Sequence, residues 1–356
     1  MHKKLFIPGP IEVSPEILNA MATPMIGHRM PEYARLHKGV TDKLKSLMFT
    51  EDRVFLATSS AFGVMEGAVR NLVSKRCANF CNGAFSDKWH GVTISCGKEA
   101  DAIKVPWGEP ITPELVEATL ATGNYDSMTL IHNETSTGVM SPLPEIAQVL
   151  KKYPDVISII DTVSSMSALK IPVAELGIDC CIFGVQKAFG LPPGLAVFSA
   201  SERALERAKG VPGRGYYFDF LEFAAADEKD NTPSTPCISL IYAMDLQLDR
   251  IFAEGLEERW ARHEAMAQYM RNWVESQGFG LLAAPPYRSV TLTCATNERG
   301  ADLALLKKTL GTRGYAFDDG YGKLKGKTFR VAHMGDMKLD DLKGLTKEME
   351  DILQDL

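Results

Sequence analysis

No apolar run of the roughly 18 residues needed to cross a bilayer interrupts this chain, and its start, from Met1 to Pro8, carries no long apolar segment. A membrane partner is therefore not expected, and a cytoplasmic location is. Nor is there an excess of one charge. Lys and Arg total 39 against 45 Asp and Glu, interspersed to a net −6, which argues against nucleic acid or an acidic surface as partner and leaves small molecules. Cysteine is sparse: Cys77, Cys81, Cys96, Cys180, Cys181, Cys237 and Cys294 are scattered and odd in number, which excludes a disulfide scaffold and fits reduced thiols. Cys77 and Cys81 have no second pair to complete a zinc site, so no metal is expected. What is present, 45% hydrophobic and 24% charged residues in a chain of 356, is the makeup of a globular protein with room for a large domain and a smaller one.

Two stretches carry the chemistry. The β-branched run Val156-Ile157-Ser158-Ile159-Ile160 ends in Asp161 and is followed by Thr162, Ser164 and Ser165. A buried strand reads this way, with its polar residue at the carboxyl end, where α/β sheets place ligands. Cys180-Cys181-Ile182-Phe183 then leads through Gly184-Val185-Gln186 to Lys187 and the turn Pro192-Pro193-Gly194. On its own Lys187 reads as a charge snorkelling to water, and Asp161 as a turn or cap carboxylate. As a pair they have a second reading: an amine that forms a Schiff base with an aldehyde cofactor, and a carboxylate that keeps a pyridine nitrogen protonated.

Elsewhere strands and helices alternate, which implies parallel βαβ units. Strands are expected at 54–57, from 79, at 101–105, 127–131 and 195–199, with helices at 15–21, 33–49, 64–72, 112–120, 144–153 and 202–209. Residues 210–236 read as loop. Helices at 238–252 and 256–277 lead to a C-terminal part with strands at 289–294 and 328–332 and helices at 301–312 and 339–353. The expected division is an N-terminal arm (1–20), a large domain (21–254) and a small domain (255–356). The turn Thr58 to Gly63, small and hydroxylated between a strand and a helix, is either an anion cradle or a plain helix cap. Arg330, between Phe329 and Val331, either faces water or is held for a carboxylate.

Asp161-Thr162-Val163-Ser164-Ser165, Gly184-Val185-Gln186-Lys187-Ala188 and Pro192-Pro193-Gly194 resemble the cofactor motifs of class V aminotransferases of fold type I, nearest the alanine/serine–glyoxylate (or pyruvate) branch. The resemblance runs from Pro8-Gly9-Pro10 to Arg330. It implies an α/β fold: a large domain whose mostly parallel central sheet is sandwiched by helices, plus a smaller C-terminal α/β domain. It further implies pyridoxal 5′-phosphate (PLP) on Lys187, with Asp161 at the ring nitrogen, Phe85 stacked on the ring, Thr135 on the phenolic oxygen, and Ser60, Ala61, Phe62 and Gln186 on the phosphate. Relatives often have glycine on both sides of that serine and tryptophan at the Phe85 position; here Ser59, Ala61 and Phe85 stand. Trp89 is a rival for the stacking role.

By the same resemblance Asn231, Ser234 and Thr235 donate to the phosphate of a partner subunit, in a homodimer with its sites at the interface. Arg330 becomes the clamp for the substrate α-carboxylate, and His28 and Arg29, on the arm, contacts to an anionic substrate end. The expected activity is amino transfer from a small L-amino acid, serine or alanine, to glyoxylate or pyruvate, since no second clamp for a side-chain anion is evident. Alternatives are phosphoserine aminotransferase of serine biosynthesis, which the His28-Arg29 pair suggests, a cysteine desulfurase-like lyase, which needs a loop cysteine, and a catalytically silent PLP-binding protein.

Overall fold

Seven strands make the central sheet of the computed structural model, which describes residues 2–354. They are β1 (Arg53–Ala57), β2 (Arg76–Cys81), β3 (Glu99–Lys104), β4 (Ser127–Ile131), β5 (Ile157–Asp161), β6 (Cys180–Gly184) and β7 (Ala196–Ala200). Across the sheet they lie in the order β1-β7-β6-β5-β4-β2-β3, all parallel except β7, which runs antiparallel to both of its neighbours. Every residue of β4 to β7 is buried, which is why these strands read as near-continuous apolar runs rather than alternating ones.

Helices supply the outer layers. Pro31–Met48 starts with proline at its first position and turns Val40, Leu44, Leu47 and Met48 to one face, which packs on Ile238–Glu254. Ala61–Leu72 and Ala84–Ser95 pack on each other and on strands of the sheet. A second hydrophobic cluster is separate from the first. It gathers Met266, Met270 and Trp273 of Leu256–Ser276, Leu306 and Leu310 of Leu303–Thr312, Leu342, Leu345 and Met349 of Leu339–Leu353, and Phe329 and Val331 of a three-stranded sheet. Phe6, from the start of the chain, is buried in it.

The sequence reading misses the four-residue helix Val173–Leu176 and two longer ones. Ala84–Ser95 contains Gly91, Val92, Thr93 and Ile94, all poor or middling helix formers, and Phe220–Asp227 lies in a stretch read as loop. Tertiary contacts decide both: Glu134 caps the first from outside, and Asn71 Oδ1 accepts from Phe220 N at 2.9 Å at the start of the second, where Asp219 is the local N-cap. The strand expected at 289–294 begins only at Leu292, because the Ser289 hydroxyl accepts from the Thr291 and Leu292 N–H groups and holds a turn. The helix expected from Val64 starts at Ala61, which moves Ala61 and Phe62 from a turn into a helical first turn.

Candidate active site

The carboxyl ends of β4, β5 and β6 and the turn after β1 converge on a cavity of about 290 Å³. Ser60, Ala61, Phe62, Phe85, Thr135, Asp161, Gln186 and Lys187 all line it, so the structure brings together eight residues singled out in the sequence. Asp161 is the last residue of β5, opposite Ile131 of β4 and Ile182 of β6, and only 6% exposed. Burial pushes its carboxyl well above the usual range; the Val163 N–H, donating to Oδ1 at 2.6 Å, and the Lys187 charge pull it back.

Lys187 follows β6 by three residues, in a turn closed by Gly190 N–H on the Lys187 carbonyl and Leu191 N–H on the Val185 carbonyl. Its Nζ donates to Thr135 Oγ1 at 2.6 Å and to Ser164 Oγ at 3.2 Å, and the two hydroxyls are 2.6 Å apart. Burial lowers this amine below the ordinary lysine range, against the opposing pull of Asp161 and Glu134, while Arg330 lowers it further. On the other side the arm residue Gly9 packs close: a Cβ there would lie 2.9 Å from Lys187 Cγ, and its φ of 106° is one that glycine adopts freely.

Phe85 is the aromatic wall, with Lys187 Nζ 5.0 Å from its ring centroid. Trp89 is buried in the core, donates from Nε1 to the Met65 carbonyl and does not line the cavity. What holds Phe85 in place is Glu134, which the sequence reading did not single out. Its fully buried carboxylate accepts from Ser86 N and Oγ at 3.0 Å each and from Ser136 N at 3.1 Å and Oγ at 2.7 Å. One carboxylate thus ties the first turn of Ala84–Ser95 to the segment that carries Thr135. Gly83 leaves room for it, since a Cβ would sit 2.3 Å from Glu134 Cγ. The only signal in the sequence is an acidic residue just past an apolar strand.

At the opposite end Ser60 is the N-cap residue of Ala61–Leu72 and makes no side-chain cap bond; Gly63 N–H donates to the Ser60 carbonyl at 3.0 Å, which leaves the Ala61 and Phe62 N–H groups and the Ser60 hydroxyl uncommitted. Gly184 lets Gln186 and Ala61 meet there: a Cβ on it would be 2.6 Å from Gln186 Oε1 and 3.3 Å from Ala61 Cβ.

Arg330 lies off the cavity. It donates from Nε and Nη2 to the two oxygens of Asp318, each at 2.9 Å, and from Nη1 to the Thr135 carbonyl at 2.8 Å. His28, Arg29, Asn231, Ser234 and Thr235 do not line the cavity either. Asn231 Nδ2 donates to the His28 carbonyl at 3.1 Å, and Ser234 and Thr235 border a small hollow beside Thr58 and Tyr217. No cysteine lines the cavity; burial pushes the Cys181 and Cys294 thiols up to about 12.

Over residues 83–322 the chain matches the model of the family described as aminotransferase class-V. It is 38% identical, over 94% of its own length and 88% of the other's, to an uncharacterised aminotransferase of Methanocaldococcus jannaschii. It is 32% identical, over 93% and 84%, to a serine–glyoxylate aminotransferase of Hyphomicrobium methylovorum. Its fold matches that of an alanine–glyoxylate aminotransferase from Nostoc sp. with a TM-score of 0.93 at 27% identity, covering 99% of this chain and 96% of that one. By site, fold and likeness alike, the chain belongs to the class-V aminotransferase family, with its fold type I architecture, in the neighbourhood of the alanine/serine–glyoxylate enzymes.

Proposed function

We propose that the cavity holds PLP and that the protein moves the amino group of a small L-amino acid, serine or alanine, to glyoxylate or pyruvate. The observation that carries this reading is the placement of a buried amine and a buried carboxylate, Lys187 and Asp161, on one cavity whose other end is a helix N-terminus with the Ala61 and Phe62 N–H groups uncommitted. The donor set suits the group: N–H groups at Ala61 and Phe62, with Ser60 and Gln186, for a phosphate dianion; Phe85 for a flat ring; Asp161 for a pyridinium; Thr135 for the phenolic oxygen.

When bound, PLP supplies an aldehyde carbon that takes up the amino group and a ring that draws electrons from the substrate's α-carbon. Lys187 anchors it. With its affinity for protons lowered by burial, the same amine takes a proton from the α-carbon and returns it as general base and acid, and the Thr135 and Ser164 hydroxyls hold Nζ for that task. Asp161 holds positive charge on the pyridine nitrogen, and Arg330 takes the substrate α-carboxylate.

Asn231, Ser234 and Thr235 then serve a partner's site in a homodimer. Their position outside this chain's own cavity supports that, as do Met30, Tyr216 and Tyr217, exposed around them. His28 and Arg29 belong to the same edge. The boundary near 255 is supported by two separate cores, to which the first twenty residues contribute Ile17 in the large one and Phe6 in the C-terminal one. We place the enzyme in the cytoplasm, which its free cysteines suit. The test is spectroscopic: purified protein loaded with PLP is mixed in turn with serine, alanine, phosphoserine and cysteine, and the cofactor's absorbance followed. A half-reaction with serine or alanine is expected. Preference for phosphoserine, sulfide release from cysteine, or a bound cofactor inert to every donor would overturn the assignment.

A further inference from the structure

Arg330 already holds a carboxylate. Asp318 grips its Nε and Nη2 side-on with both oxygens, in the bidentate geometry that a substrate carboxylate would use, and the Thr135 carbonyl takes a third N–H. Tyr321, from the same segment, covers the guanidinium at 5.3 Å from its ring centroid and stacks on Phe85 at 5.1 Å and 17°. Arg330 is thereby 3% exposed and shut off from the cavity. The covering segment is punctuated by Gly320, Gly322 and Gly326, with φ of 93°, 57° and 73°. The Asp318 side chain is 20% exposed, with water at hand to receive it.

We propose that Asp318 is a specificity-determining residue that competes with the substrate's carboxylate for Arg330. Binding is an exchange of one carboxylate for another: the substrate's oxygens take the fork, Asp318 turns out to water, and Tyr321 leaves the face of the guanidinium. The cost of that release sets how strong a ligand must be to enter, and it turns away acids that bring nothing beyond one carboxylate. This inference rests on Arg330 being the α-carboxylate clamp, as proposed above.

The experiment uses the full chain loaded with PLP and no amino donor. Pyruvate is titrated by calorimetry into wild type, Asp318→Asn, Asp318→Ala and Arg330→Lys. Asp318→Asn keeps an acceptor for the Gly320 N–H, which donates to Oδ1 at 3.0 Å, and so protects the local fold. Competition predicts pyruvate binding about tenfold tighter in both Asp318 variants. It also predicts that their melting temperatures, lower without ligand because Arg330 loses its counter-charge, rise more on adding pyruvate than that of wild type. Equal or weaker binding in both variants, with Arg330→Lys weaker still, makes Asp318 a mere support for Arg330 and overturns the inference while the clamp stands. Pyruvate binding that Arg330→Lys leaves unchanged removes the clamp, and the inference with it.

Discussion

The half of the site around Lys187 and the half around Arg330 are built by different means. Lys187, Asp161 and Thr135 sit within a few residues of strand ends that are buried on both faces, and each is tied by short hydrogen bonds or packing. Arg330 is itself on a buried strand, but what faces it, Asp318 and Tyr321, belongs to a segment with three glycines in the left-handed region. On the proposed reading the first is the fixed half and the second has partners that can be exchanged, so that chemistry that tolerates little displacement rests on the sheet and what gates recognition on a loop.

The sharpest way to break this contrast is Lys187→Ala. If the fixed half carries the proton transfer, turnover falls about 10³-fold or more, read as single-turnover rates with serine or alanine; a small loss would move the chemistry elsewhere. Asp161→Asn comes next, with kcat lower by about 10- to 100-fold and KM for the amino acid little changed, because the role proposed for the residue is at the ring and not at the carboxylate end. A matched pair of glycine substitutions sharpens the comparison. Gly9→Ala and Gly320→Ala each force a side chain into the left-handed region, with Cβ 2.9 Å from Lys187 Cγ in the first and 2.5 Å from the Leu324 carbonyl oxygen in the second. Each is expected to lower stability by about 1–3 kcal/mol, measured by denaturant titration. They should divide by kinetics: Gly9→Ala lowers kcat, Gly320→Ala raises KM.

The remaining test concerns the frame that both halves share. Burial holds His37 and His132 down to about 4 and His333 to about 3, from an ordinary 6.5. Between about 4 and 6.5 the unfolded chain therefore binds more protons than the folded one. Stability is kept above that window and lost as pH falls through it, by up to about 1.4 kcal/mol per pH unit for each histidine. Melting temperatures from pH 7.5 down to 4.5 would follow this, and a flat profile would contradict it.

Much of the fixed half is legible in the sequence, and the reason is physical. A strand buried on both faces leaves a continuous apolar run, and a polar residue at its end stands out, as Asp161 does after Ile159 and Ile160. Glu134 and Ser164 are harder to see. Each looks like one more polar residue in a turn, and only the fold brings Glu134 to the start of Ala84–Ser95 and Ser164 to the Lys187 amine. Asp318 is harder still, since the eleven residues between it and Arg330 hide an antiparallel bridge that pairs the two. Ala84–Ser95 was missed because its own residues favour a helix weakly and the cap comes from fifty residues away.

One short span joins the halves. Phe6 is buried in the C-terminal core, and its carbonyl accepts from Ala332 N at 2.9 Å, two residues past Arg330. Five residues later Ile11 N–H donates to the Gln186 carbonyl, beside Lys187, at 3.3 Å. A leash of five residues reaches about 17 Å at full stretch. Any swing of the C-terminal unit must stay inside that radius or peel the leash from the lysine, so the travel of the Arg330 side is metered by the very chain that lies against Lys187.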